Sequence, residues 1–375
     1  MRRKTVITGI GAVSPIGHSI EATCQRMGGL GATQEIPRVP LGDRSELFVI
    51  ENLDTSRSVN GRLRRKLDLF AVYGLCAANE ALMSSRILEG ELDKERCGIF
   101  VGNCLGGWGY TEPELKVLHT RGVSRMSPFV ATAWFPAALQ GQLSLLHGIK
   151  GYSKTFSTGA VAGVQALGYA AQAIESGRAD VILCGAAEDL SSPYVRAILS
   201  RRGQEGSSFG SVFGPAKTQS FAEGAAFLVL EDLEHALRRK ADVYGEVLAF
   251  ADGFAPGPEQ AVEQLAHNLA AVTGGKQHEH LLLLDGGFEA ERTKTEQARG
   301  EFALCFADSR RKLGHMFAVS GTLEAACAAH QLRGGAMSAR LFADDAPAAA
   351  YDSVIIQRLS KNGNVATLRI GRPSA

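Results

Sequence analysis

Short, nearly continuous apolar runs alternate along the chain with longer amphipathic, alanine-rich ones. Thr5–Ile10, Cys97–Gly102, Val181–Gly185 and Phe227–Glu231 predict strands covered on both faces, because no polar position interrupts the pattern in a period of two. Leu69–Ser84, Val161–Gly177 and Thr322–Leu332 carry helical spacing and enough alanine to pack closely. Gly177 stands where a helix would stop and Gly185 where a strand would end. Further on, Leu281–Leu284, Val354–Gln357 and Val365–Ile370 read as strands, and Val243–Ala251 opens a second half near Asp242. Ser200–Lys217 and Gly253–Pro258 are punctuated by Gly, Pro and Ser and read as loops. Strands alternating with helices mean an α/β fold.

The 375 residues suffice for one large domain or two fused ones. A net charge of +1 gives no electrostatic reason to bind nucleic acid or a membrane surface. No apolar run reaches the length of a membrane span. The start, Met1-Arg-Arg-Lys-Thr-Val6, runs into a strand without a signal-peptide core. Seven cysteines, scattered without close pairs, read as reduced thiols in the cytosol. Of these, Cys76, Cys97, Cys184 and Cys327 lie in apolar runs and read as small core hydrophobes. No Cys–His group has zinc-ligand spacing, and His278 and His280 read as a surface pair, so no metal or cofactor is expected. Gly9-x-Gly11 after a strand has the opening of a dinucleotide fingerprint, but Ser14 stands at the place of the third glycine.

Longer segments carry more. Val6-Ile-Thr-Gly9-Ile-Gly11-Ala-Val-Ser-Pro15, Gly98-Ile-Phe-Val-Gly102 and Ser127-Pro-Phe129 leading to His147-Gly148 come first. Gly151-Tyr-Ser-Lys-Thr-Phe-Ser-Thr-Gly-Ala160, Ala179-Asp-Val-Ile-Leu-Cys-Gly185-Ala-Ala-Glu188, Glu223-Gly-Ala-Ala and Leu313-Gly-His315 through Gly321-Thr-Leu-Glu324 follow. In this order and spacing they resemble the β-ketoacyl synthases. The resemblance implies a thiolase-type fold, a duplicated five-layered αβαβα architecture. Its halves would be residues 1–241 and 242–375, sharing one core.

It also implies chemistry that this chain lacks. The family's nucleophile turn reads Ser-Thr-Ala-Cys, and here the cysteine's place holds Ala160. A methyl group cannot attack a thioester. The family's first histidine, in Asn-Ala-His-Gly-Thr, is matched by Asp285, Gly286 or Gly287, and a carboxylate there would repel a developing enolate. The second histidine survives as His315 and reads as a packed core residue. The family lysine five residues before it is matched by Arg310. The glycine gate, Gly-Phe-Gly-Gly-Thr, is replaced by Ile356-Gln-Arg-Leu-Ser-Lys-Asn-Gly-Asn364, and the Asp-Gly-Phe before Glu223 by Lys217-Thr-Gln219. Ser157 and Thr158 have no histidine base beside them and read as inert hydroxyls. No catalytic residue is assigned.

Family members of this profile are the chain-length factors of type II polyketide synthases, although those often carry glutamine where Ala160 stands. The implied role is that of a non-catalytic partner of an active ketosynthase, in a heterodimer that serves aromatic or polyene chain extension on an acyl carrier protein. Thr132, Ala133, Trp134, Phe135 and Phe156 become candidates for the tunnel or interface. Arg62, Arg65 and Lys66, with Arg201 and Arg202, become candidates for transient docking of the acidic carrier. A stand-alone thiolase-fold acyltransferase with altered chemistry is the alternative. The interface is expected along a strand at Tyr152–Thr158 and a helix at Phe129–Leu145.

Overall fold

A computed structural model of the chain describes residues 3–29, 36–42, 45–201, 219–273, 280–284, 304–307, 309–344, 346, 349–360 and 362–373. Among them, ten strands join in one sheet: β1 (Thr5–Val13), β2 (Cys97–Gly102), β3 (Lys154–Phe156), β4 (Val181–Glu188), β5 (Gly224–Asp232), β6 (Gly245–Phe254), β7 (His280–Leu284), β8 (Leu304–Ala307), β9 (Ser353–Leu359) and β10 (Asn364–Gly371). Every residue of β1, β2, β4, β5 and β9 is buried, as their unbroken apolar character demands.

The order across the sheet is β8-β7-β9-β10-β6-β1-β5-β4-β2-β3. Read outward from the middle, β1-β5-β4-β2-β3 and β6-β10-β9-β7-β8 follow the same path. The sense of pairing also repeats, with two antiparallel steps followed by two parallel ones. The duplication that no internal sequence repeat reveals is therefore plain in the topology. The two sets meet at a short antiparallel seam, Thr5–Ile7 against Gly245–Val247.

Six helices position the site: α1 (Leu69–Ser85), α2 (Trp108–Arg121), α3 (Ala138–His147), α4 (Ala162–Glu175), α5 (Pro258–Thr273) and α6 (Ala318–Arg333). Helices α4 and α6 touch strands of both sets and lie between them, while α1 covers the first set from outside and α5 the second. These are the five layers of a thiolase-type fold. One apolar core, containing Ile7, Phe100, Val164, Leu281, Leu323 and Val354, runs through both sets. The Gly9-x-Gly11 pair serves packing: a Cβ at Gly11 would stand 2.2 Å from the Ala77 carbonyl of α1. Between the central helices the approach is closer, and a Cβ at Gly163 would stand 2.0 Å from the Ala318 carbonyl.

Several expectations need correction. The helix expected at Phe129–Leu145 is two, Val130–Ala133 and α3, interrupted at Trp134–Ala137. Pro136 has no N–H for a helical bond and restricts Phe135 before it. The strand expected at Tyr152–Thr158 shrinks to β3, because Gly159, at φ 77°, turns the chain into α4. Ser200 and Arg201, expected to open a loop, instead end a helix at Pro193–Arg201, and residues 202–218 lie outside the described ones. Gly253 and Phe254 still belong to β6, and Pro258 opens α5. His280 is not on the surface. It is 2 % exposed at the start of β7, its Nδ1 3.1 Å from Ser353 Oγ. Cys76 is only half-buried, whereas Cys97, Cys184 and Cys327 are core residues. Among the described residues, no helix is long and apolar enough to cross a membrane.

Candidate functional site

Strand β3 feeds Ser157 and Thr158 into a tight turn, Gly159–Val161, that opens α4. Ala160 sits in this turn, 8 % exposed. A helix start favours an anion through its unpaired N–H groups and dipole, which suits a reactive thiolate. The position keeps that electrostatic setting and carries a methyl group. The neighbouring hydroxyls are engaged elsewhere: Ser157 Oγ donates to the Asn103 carbonyl at 2.8 Å, and Thr158 Oγ1 to Gln165 Oε1 at 2.5 Å.

His315 enters from the segment before α6. Its backbone bridges the Gln219–Ala222 strand, with His315 N donating to Ser220 O at 2.7 Å and Ala222 N to His315 O at 3.0 Å. The half-buried ring accepts the Phe317 N–H at Nδ1, 3.3 Å away, and stands edge-on to Phe317 and Phe221. Phe317 caps α6 with φ 49°, a left-handed conformation that a bulky residue adopts only when its surroundings enforce it. Stacking on Phe221, with centroids 6.0 Å apart, supplies part of that enforcement. Arg310 opens the short helix Arg310–Leu313 and is half-buried. Asp285 and Gly286 lie outside the described residues.

The replaced gate segment contains what sequence reasoning missed. Here β9 continues as a strand, and Arg358 is buried in it with its partner Glu324 of α6, each side chain 1 % exposed. Arg358 Nη2 donates to Glu324, and Nη1 donates to the carbonyls of Leu283 at 3.1 Å and Gln357 at 2.8 Å. Ser309 Oγ donates to the other Glu324 oxygen. Just beyond, Ser360 lies against the nucleophile turn, its Cβ 3.2 Å from where a Gly159 side chain would begin. Where the resemblance implies a glycine loop, this chain has a strand and a charge pair. The one available signal was an arginine inside the apolar run Val354–Leu359.

A second buried polar group stands beside the turn's support. Glu188, fully buried at the end of β4, accepts the N–H groups of Cys104 at 2.5 Å and Leu105 at 3.2 Å, holding the loop whose Asn103 receives Ser157. Burial pushes its carboxyl up to about 8. Asp189, Glu223 and Asp68 are buried nearby, each 2 % exposed. Asp68 caps α1 by accepting from Phe70 N and also accepts from Tyr110 N at 2.7 Å. Glu223 Oε1 accepts from Ile50 N and the Tyr73 hydroxyl, and Asp189 Oδ1 from Ser191 N. Asp189 Oδ2 and Glu223 Oε2 meet no N–H or hydroxyl donor, yet the two carboxyls lie within hydrogen-bonding reach of each other. Burial first, and then the Asp189 charge, raise Glu223 and Asp68 to about 7. Burial also raises Asp189. One proton between Asp189 and Glu223 satisfies both unmatched oxygens.

The tunnel and interface candidates divide. Thr132, Trp134 and Phe135 are exposed, the two aromatics at 49 % and 53 %, and Phe156 is half-buried. Ala133 instead turns inward, 1 % exposed, with its carbonyl against Gly107, so its side chain cannot line an outer surface. Val123, Phe129, Leu145 and Leu146 extend the exposed apolar area. Among the carrier candidates, Arg62 and Arg65 are exposed on and just after the turn Gly61–Arg64, and Arg201 is exposed at the end of its helix. Lys66 is half-buried with its ammonium 4.5 Å from the centre of the Phe129 ring, tying the basic run to the apolar area. Arg202 lies outside the described residues.

The family model of the β-ketoacyl synthase N-terminal domain matches residues 2–236. Among curated relatives, 3-oxoacyl-[acyl-carrier-protein] synthase 2 of Vibrio cholerae is 28 % identical over 350 residues, covering 86 % of this chain and 84 % of that protein. Its counterpart from Synechocystis is 27 % identical over 349 residues with the same coverage. A solved complex, AntDE:AntF, described as a type II PKS acyl-carrier protein with its ketosynthase bound to the hexaketide, contains a chain 39 % identical over the full length of both, with a TM-score of 0.86. The ishigamide ketosynthase/chain length factor has a TM-score of 0.84 at 21 % identity over both full lengths, a likeness of fold.

Two outcomes follow from the buried charges. Arg358→Ala strands Glu324 in the core and should lower stability by about 3–5 kcal/mol, whereas a paired Arg358→Met, Glu324→Leu change should be close to neutral. Denaturant midpoints of the single and double variants decide, and an Arg358→Ala loss below about 1 kcal/mol would count against a tightly coupled pair. The carboxyl cluster sets a sign for pH. Folding raises these acids, so the folded chain keeps protons that the unfolded chain has released. Stability should therefore fall as pH rises from the ordinary carboxylate range, near 4, to about 7–8, by about 1.4 kcal/mol per pH unit for each retained proton, and then level off. Asp189→Asn gives Glu223 an amide donor and removes one charge. It should flatten that slope and match or exceed the parent's stability at pH 8, and an unchanged slope would exclude a shared proton.

Proposed function

The chain belongs to the β-ketoacyl synthase family, and we propose that within it this chain is a non-condensing, chain-length-factor subunit of a type II polyketide system. On this reading it pairs with a cysteine-bearing ketosynthase, and the growing acyl chain, delivered by an acyl carrier protein, lies between the two. The observation that carries the reading is Ala160 at the head of α4, with the adjoining hydroxyls of Ser157 and Thr158 engaged elsewhere. The buried Arg358–Glu324 pair supports it, because charges fixed in the strand that packs against the Gly159–Val161 turn are poor neighbours for a hydrocarbon chain.

What remains is a surface suited to assembly. Among the described residues, strand β3 ends the sheet order and has a neighbour only on the β2 side. An open strand edge of this kind invites another chain. Helix α3 adjoins it, with Thr155 Oγ1 donating to Gln140 Oε1 at 2.9 Å, and α3 itself carries exposed Leu145 and Leu146. A strand edge beside a helix with exposed leucines fits an obligate interface, which typically buries about 2,000 Å² or more. The AntDE:AntF complex supports the carrier-protein part of the reading, since that ketosynthase is held with its acyl-carrier protein.

Incubation with acyl and malonyl carrier proteins, followed by intact-mass measurement, should leave this chain without an adduct. Ala160→Cys should not restore condensation, because the gate and the first histidine are also gone. Co-expression with an active ketosynthase should give a heterodimer by size exclusion and native mass. A stable acyl adduct, or a monomer that ignores the ketosynthase, would instead favour the stand-alone acyltransferase.

Trp134 and Phe135 are the candidates for limiting chain length. Both are half-exposed, so shrinking either leaves the fold of this chain intact. Trp134→Ala in an intact heterodimer should lengthen the product by at least one two-carbon unit, read by mass spectrometry of the released polyketide. An unchanged product from an intact heterodimer would assign Trp134 to packing alone.

A further inference from the structure

The open edge of the sheet carries an unusual pair of cations. Lys154, in β3, is exposed, with its ammonium 5.2 Å from the centre of the Tyr152 ring and 6.0 Å from that of Tyr169. Arg178, just beyond α4, is also exposed and lies 5.6 Å from the same Tyr152 ring, with Nη1 3.5 Å from the phenol oxygen. Among the described residues neither cation is paired with a carboxylate. By contrast, nearby Lys150 has Glu95 at 3.8 Å. Hydrogen bonding from Lys154 first, with the two positive charges and Arg178 adding to it, holds the Tyr152 hydroxyl below its ordinary value. The oxygen receives cationic donors, so its own proton is free to be given outward. Two like charges gathered on one ring are unfavourable alone and favourable around an anion.

We propose that Tyr152, Lys154 and Arg178 form a carboxylate-binding claw, and that the partner subunit closes the interface by placing an acidic side chain in it. This rests on the heterodimer reading above. The claw lies on β3, the strand that ends the sheet order among the described residues, so an acidic group there would be covered as the two chains meet along that edge. A charge pair removed from water at an interface contributes to partner choice and to the lifetime of the complex.

The test uses the co-expressed heterodimer, with its dissociation constant measured at low and high salt. Lys154→Glu/Arg178→Glu should weaken the complex by about tenfold or more and reduce its salt dependence, and Tyr152→Phe should weaken it less. Lys150→Glu, which reverses a neighbouring charge outside the claw, should change the constant by less than about threefold. Thermal melting of each variant chain checks that the fold is intact. A double variant with the parent's affinity and salt dependence overturns the claw and leaves the heterodimer standing. If that variant assembles normally but loses product formation with the carrier protein, the claw serves the carrier and the assignment to the partner is wrong. If the parent chain forms no heterodimer at all, the wider reading falls and takes this inference with it.

Discussion

The constraint on which the molecule depends is the backbone contact between its two central helices. Where Gly163 of α4 meets the carbonyl of Ala318 at the start of α6, no side chain fits. That contact lets two sets of strands close on a thin central layer. It also fixes the site. Ala160 lies in the turn just before α4 and His315 in the segment just before α6, so the positions from which a condensing enzyme would work are set by the packing. The same glycine and alanine residues hold the fold together, so the geometry does not depend on what side chain stands at position 160. Altering them would cost the core, whereas an alanine at position 160 costs the core nothing.

The Arg358–Glu324 pair belongs to the same logic seen from the other side. A catalytic gate needs glycine for movement, and on the reading proposed above this chain has no use for such movement. Extending β9 through that region gives regular backbone pairing with β10 from Ser353 to Leu359, and then a tight return in which Ser360 N donates to the Asn364 carbonyl at 2.8 Å. An arginine carried inward by the alternation of the strand must be neutralised at once. Glu324 does this, and Ser309 and two carbonyls take up remaining hydrogen-bonding capacity. A buried pair of this kind adds little to stability over an apolar one. Its consequence is rigidity and the exclusion of an apolar guest.

Much of this was legible in the residues, for reasons that differ by element. Strands β1, β2, β4 and β5 declare themselves because strands buried on both faces cannot hide polar positions. The turn that leads into α4 was legible because the family motif is followed by a helical run. Other features were not. The break at Trp134–Ala137 turns on one proline within an otherwise helical stretch, and the shortness of β3 on a glycine with a positive φ. His280 looked like surface because histidine is polar, and it is buried because β7 lies between two parallel neighbours. The Arg358–Glu324 pair joins residues 34 apart, and the Asp189–Glu223 approach joins the ends of different strands. Contacts across a sheet leave no periodic trace in the sequence. The duplication was legible only through the family resemblance, since it survives in strand order and not in residue identity.

The distribution of polarity separates this chain from a merely damaged enzyme. Paired charge lies inside, at Arg358 and Glu324, and among the described residues the features that stand outside are the edge of β3, the half-exposed aromatics at Trp134 and Phe135, and the cations around Tyr152 that have no carboxylate partner. Free energy left unsatisfied on an outer face can be gained only by covering that face. On the reading proposed above, the chain has moved its specificity from an internal pocket to a surface that a second chain completes. The residues that govern the product would then be those that look least finished in the chain alone.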